Sequence, residues 1–210
     1  MVQRDALRVA NFSVQCREIA VRDALYARKA GRAVGQMFFA GFGSLWIMGW
    51  CQGTRGTDWP MLALIAMVGS TLFLWALCDF RAYRRAAGTS ADPAADKARN
   101  RVFGWVNLVQ WSAVFAANIG LNAAGRPEWV APAVILIVGL HFFPLARLFK
   151  TPFHYVMGIA MVIVALAYPW MAGGGAEYTA GEFATGAILW FGALYGFLRD
   201  RFAETPAVAF

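Results

Sequence analysis

Between Trp129 and Met171 two apolar runs are separated only by Arg147 to Pro152, and that spacing leaves the chain little choice of architecture. Trp129 to Ala146 is apolar except for His141, and Val156 to Met171 carries no charge. With its aromatic flanks each run approaches the roughly 20 residues that a helix needs to cross a ~30 Å hydrocarbon layer. So short a connection can only be a tight turn between two antiparallel membrane spans. Pro144 stands near the end of the first span, where its missing backbone donor leaves the Leu140 carbonyl without its usual partner and predicts a bend in the last turn.

Composition extends this reading to the whole chain. Hydrophobic residues make up 60% of the 210 positions and charged residues 15%, and the apolar residues fall in long blocks instead of the alternation of a soluble core. The expected fold is all-α, a polytopic membrane bundle of about six transmembrane helices at about 33–51, 60–78, 102–123, 129–146, 153–171 and 182–198. The first span is rich in small residues (Gly35, Gly41, Gly43, Ser44, Gly49) that let helices approach closely, so it is expected to pack centrally. The second carries Leu, Met and Phe on most sides and reads as lipid-facing. In the loop from Asp79 to Arg101, Asp92 and Pro93 read as the N-cap and first residue of the third helix. The third span is the most polar, with Asn107, Gln110, Ser112, Asn118 and Asn122, and small-residue rows at Ala113, Ala117 and Ala116, Gly120, Ala124; it is expected inside the bundle. The sixth follows a glycine-rich loop and carries a Gly192/Gly196 row. Small-residue faces of this kind also allow a homo-oligomer.

Residues 1–32 hold seven Lys/Arg and no apolar block with a cleavage site, so they do not read as a secretory signal. Leu7, Ala10, Val14, Val21 and Leu25 draw one apolar stripe on a helix, with Glu18 four residues before Arg22. This predicts a basic amphipathic helix lying in the membrane interface, or alternatively a docking helix for a soluble partner. Residues 199–210 read as a short tail.

Cations set the expected orientation. Residues 1–32, the loop Asp79–Arg101, the turn Arg147–Lys150 and the tail carry seven, six, two and two Lys/Arg, whereas the opposite side has only Arg55 and Arg126. By the positive-inside rule both termini are cytoplasmic. Trp50, Trp59, Trp129 and Trp170 then fall at the outer interface, where aromatic belts lie. The net charge of +7 is explained by these flanking cations, and no nucleic-acid partner is expected.

Six polar side chains are the candidates for chemistry. Counting inward from Arg147 puts His141 about 9 Å deep, level with Asn107 and Gln110 on the third span, so the three can form a polar layer in the cytoplasmic leaflet. Asn118, Asn122 and Glu182 form a second candidate cluster toward the outer side; a carboxylate at the start of a helix, as Glu182 is, is favoured by the helix dipole. A buried histidine in lipid either bonds helices together or marks a proton or solute site. Metal or haem ligation is disfavoured because His154 sits at the interface, off register from His141, and no other ligand set is evident; no metal and no cofactor is expected. There is no H-E-x-x-H, G-x-S-x-G or phosphate-loop motif and no intramembrane carboxylate pair, so an enzyme is not the favoured reading. Cys16, Cys51 and Cys78 lie too far apart in this topology to pair.

The segment GLHFFPLARLFKTPFHYVMG, Gly139 to Gly158, resembles small uncharacterised bacterial inner-membrane proteins in which a span ends in HF-x-P-L-A before a basic turn and a second span. The resemblance implies a multi-pass protein of a bacterial inner membrane and no particular activity. Two functions fit the residues: a transporter or channel for a small solute or ion, resting on the polar third span and the His141 layer, and a non-transport scaffold docking a partner through its amino-terminal helix.

Overall fold

The computed structural model describes residues 2–87, 93–171 and 175–202. Six α-helices follow one another, α1 Val2–Arg55, α2 Trp59–Ala86, α3 Pro93–Ala123, α4 Val130–Phe149, α5 Phe153–Met171 and α6 Ala180–Phe202, with short 3-10 turns at Pro127–Trp129 and Gly175–Glu177. Pro93 is the first residue of α3, while Asp92, residues 172–174 of the glycine-rich loop and residues 203–210 of the tail lie outside the described residues. Helices α2 to α6 are each long and apolar enough to cross a membrane. The apolar half of α1 is diluted by its glycines, Gln36 and Ser44, yet it is packed: Ala33, Gln36, Ala40, Gly43, Ser44, Ile47 and Cys51 are all buried, recurring at helical spacing.

The amino-terminal segment is continuous with the first span. A helix in the membrane plane must turn before the first span, but α1 is one helix of 54 residues running through Arg32 and Ala33 without a break. The change from basic to apolar composition at that point changes the surroundings of the helix and leaves its backbone intact, because no proline intervenes and single glycines cost only about 1 kcal/mol each. Of the apolar stripe, Val21 and Leu25 are exposed, and the side chains of Leu7, Ala10 and Val14 lie outside the described residues.

Two groups of helices make the bundle. In one, α1 lies between α2 and α6; in the other, α4 pairs with α5 and carries α3 on its far side; α5 against α6 joins them. Each group has a crossing where glycines bring backbones into contact. A Cβ built on Gly186 of α6 would lie 2.7 Å from the Gly43 carbonyl oxygen of α1, and one on Gly158 of α5 would lie 2.8 Å from the Gly139 carbonyl oxygen of α4. Gly69 of α2 similarly admits Ser44, whose hydroxyl donates to the Ala40 carbonyl at 2.7 Å and accepts from the Trp190 indole at 3.3 Å. Gly192 and Gly196 are covered by Met157 and Gln36. The core between the groups is Ile135, Phe142, Met157, Met161, Ala165 and Leu189.

The turn between α4 and α5 is as tight as its length requires. Helix α4 continues through Pro144 to Phe149, and Lys150 then takes the left-handed conformation, φ 51°, that reverses a chain at a helix end. The amides of Lys150 and Thr151 return to the carbonyls of Arg147 and Ala146.

Helix α3 departs from the sequence reading. It packs against α4, Trp111 approaches Phe42 of α1 at 6.3 Å, and none of its residues from Asp96 on is buried. Its polarity is accommodated locally instead: the Asn107 amide donates to the Phe103 carbonyl and the Asn122 amide to the Asn118 carbonyl, each 2.8 Å away one turn back. Back-bonding of this kind satisfies an asparagine on its own helix and removes the need for an interior position. Helix α2, read as lipid-facing, buries Ile65, Gly69, Leu72 and Ala76.

At the end of the bundle bearing Arg81, Arg84, Arg147 and Lys150, a charged lock closes α1 onto α6. The Arg32 guanidinium donates to both Asp200 oxygens, at 2.7 and 3.3 Å, and the Asp200 side chain is only 5% exposed. Lys29 is buried over the Tyr83 ring, Tyr26 stacks on Tyr83, and Arg201 covers Trp75, itself stacked on Phe197 at 4.5 Å. The end of the sixth helix, which reads as the start of a tail, is thus fixed in place.

Candidate functional site

Helix α4 carries His141 on the side turned to α3. Its ring faces the Val106 backbone, next to Asn107, and His141, Asn107 and Gln110 are all half-buried. Of the three candidates, His141 is the one whose approach to the neighbouring helix is seen, at Val106. Asn107 spends its amide on its own helix. His141 and His154, the latter at the start of α5, both approach Phe142, at 6.4 and 5.8 Å, and His154 is also 6.0 Å from Phe39 of α1. The His154 Nδ1 is buried without a hydrogen-bond partner.

At the opposite end of the bundle Glu182 lines a cavity of about 180 Å³. The 3-10 turn Pro127–Trp129 supplies Glu128 and the turn Gly175–Glu177 supplies Glu177, while Tyr178 and Thr179 complete the polar wall. Thr179 and Glu182 are held against α1 by two glycines, Gly53 and Gly49, which leave room for their side chains. Thr179, just before α6, and Glu182 and Thr185 within it recur at three-residue steps, so they run from the mouth of the helix inward. Each has a buried side-chain oxygen without a partner: Thr179 Oγ1, Glu182 Oε2 and Thr185 Oγ1, with Thr185 fully buried. Buried oxygens in an apolar medium are costly unless something bonds them, which makes this row the strongest claim to a ligand in the structure. Tyr168 of α5 lies within electrostatic reach of Glu182. Among the described residues no three His, Cys, Asp or Glu side chains come close enough together to hold a metal ion.

Asn118 and Asn122 are exposed on α3 and do not line the cavity that Glu182 lines. Glu128, Glu177, Thr179 and Thr185 come from three separate segments, and only the three-residue spacing of Thr179, Glu182 and Thr185 was available to a reader of the sequence. The two polar regions are separated by the apolar core of Ile135, Phe142, Met161 and Leu189. From Tyr168 to His154 the separation along α5 is about 21 Å at 1.5 Å per residue.

Residues 99–198 match a family of unknown function (DUF7010), a stretch that takes in almost all of α3 through α6 and with it the Glu182 cavity and both histidines. No curated protein and no solved structure matches the chain. The chain thus resembles an uncharacterised family, and its apolar helices are compatible with a membrane protein.

Proposed function

We propose that the chain is a multi-pass protein of a bacterial inner membrane, with both termini in the cytoplasm, that takes a small cationic solute into the Glu182 cavity from the outer side and carries it across. The observation that carries this reading is a cavity lined by Glu128, Glu177 and Glu182 and by no cation, with the unpartnered Glu182 Oε2 buried beside it against Gly49. An intramembrane carboxylate is expensive to keep without a purpose, and a protonated amine supplies the missing donor. The cavity ends inward on packed apolar side chains, as a carrier site does when it is open to one side. The orientation is supported by the bias of Lys/Arg to one end and by Trp59 and Trp170, exposed at 74% and 79%, at the other. His141 then serves to hold α4 against α3.

Uptake of methylammonium, ethanolamine and choline into proteoliposomes tests the reading. Glu182→Gln should lower uptake by about 10- to 100-fold, the worth of one charge-assisted hydrogen bond, whereas His141→Asn should leave it within about twofold, since asparagine keeps a hydrogen-bonding group. Equal uptake by Glu182→Gln and parent across the panel refutes the site. For topology, a reporter active only in the cytoplasm should work when fused at Phe210 and fail when inserted at Gly174; the reverse pattern overturns the orientation.

A second reading, a scaffold that docks a partner, is favoured by one observation: α1 continues beyond its contacts with Tyr83 of α2, leaving Ile19, Val21 and Leu25 exposed. Capture of a soluble partner that is lost in Val21→Asp with Leu25→Asp, alongside no flux for any solute, would favour it.

A further inference from the structure

The Glu182 cavity is small, and it does not stand alone. About 180 Å³ is below the ~300–1,000 Å³ of pockets that enclose a whole drug-sized ligand, so it has room for a headgroup and little more. Its carboxylates do not converge on a metal-sized point, which argues for an occupant larger than a bare ion. Beside it, α5 and α6 leave an apolar groove of about 380 Å³ lined by Ile163, Val164, Ala167, Met171 and Ala184. Tyr178 forms a wall of both spaces, and Tyr168 lines the groove while lying within electrostatic reach of Glu182. Ile163 and Met171 are exposed, so the groove opens sideways to the region that lipid chains occupy.

We propose that the two spaces hold one amphiphile, a membrane lipid with a protonated amine head, its head in the Glu182 cavity and an acyl chain in the α5/α6 groove. The inference rests on the reading of the Glu182 cavity given above and names its ligand. Charge selects the head: Glu128, Glu177 and Glu182 line the cavity and no lining residue is a cation, so a lipid whose head is purely anionic meets only like charge. Hydrogen bonding agrees, because an ammonium group brings three donors to a wall whose side chains include the carboxylates of Glu128, Glu177 and Glu182. The groove exists because Ala167, Ala180 and Ala184 are small where larger side chains would close it. The ligand enters from the membrane plane, with its chain never leaving an apolar surrounding.

Native mass spectrometry of the purified full-length chain tests this with equimolar phosphatidylethanolamine and phosphatidylglycerol of identical acyl chains, and calorimetry with free ethanolamine tests the head alone. Phosphatidylethanolamine should be retained over phosphatidylglycerol by about tenfold, and Glu182→Gln should bring the ratio near one. Filling the groove with Ala167→Phe and Ala184→Phe should lower lipid retention about tenfold while ethanolamine still binds; Ala184→Leu, a milder filling, serves if the double variant does not give the parent's helical spectrum. Equal retention of both lipids, or parent-like retention in a folded groove-filled variant, overturns the proposal. Ethanolamine bound through Glu182 with no lipid preference would sink the lipid and leave the cation site standing, and no binding of either would sink both.

Discussion

Gly186→Leu should prevent the bundle from closing, at a cost of about 3 kcal/mol or more. A Cβ at this position meets the Ile47 side chain first and also lies 2.7 Å from the Gly43 carbonyl oxygen and 3.1 Å from the Ile47 amide nitrogen, so moving that side chain would still leave the substituent against the backbone of α1. Helices in lipid associate through close packing, with little hydrophobic drive to offset a lost contact, so α6 would separate from α1. Gly35→Ala and Gly104→Ala are the controls: nothing lies within 4 Å of a Cβ at either position, and alanine should be neutral or stabilising by up to ~1 kcal/mol. Denaturant titration of the purified protein in micelles reads both. A Gly186→Leu variant as stable as the parent would show that the α1/α6 crossing does not hold the fold.

The second large effect is expected at Asp200. Its partner Arg32 is partly exposed, so the ion pair contributes less than a fully buried one, yet Asp200→Ala takes from the guanidinium both of the α6 oxygens that it bonds. A loss of roughly 2–4 kcal/mol is expected. Asp200→Arg should do worse, and Arg32→Asp combined with Asp200→Arg should recover at least half of the loss, because the pair is restored with reversed direction. Proteolysis at the carboxyl end of α6 gives an independent readout, since the lock is what holds Asp200 to α1. If the double reversal is no better than the sum of the two single changes, the residues are not coupled.

Much of the helix layout was legible because apolar blocks of membrane length are separated by polar punctuation, and the Arg147–Pro152 turn leaves no alternative to a hairpin. What the sequence concealed has a physical cause in each case. The junction at Arg32 and Ala33 is a change of environment along an unbroken helix, and composition registers environment. The polarity of α3 suggested an interior position, but Asn107 and Asn122 satisfy themselves on the preceding turn. The cavity was partly visible in Glu182 at a helix mouth; its other carboxylates, Glu128 and Glu177, sit in loops whose approach to one another depends on how α4, α5 and α6 pack. Asp200 looked like one charge in a basic tail until α6 was seen to continue to Phe202.

The length of α1 bears on which of its charges the lipid surface can feel. From Ala33 back to Val2 the helix rises about 46 Å at 1.5 Å per residue, whereas the attraction of anionic headgroups decays over a screening distance of about 8 Å at physiological ionic strength. Arg28, exposed within two turns of the apolar half, lies within that reach, whereas Lys29 is buried over Tyr83 and Arg32 is held by Asp200. The start of the helix, carried several screening lengths away along the axis, gains almost nothing from it. Raising the salt concentration should therefore weaken any attraction of an anionic surface for the root of α1 and leave the start of the helix indifferent.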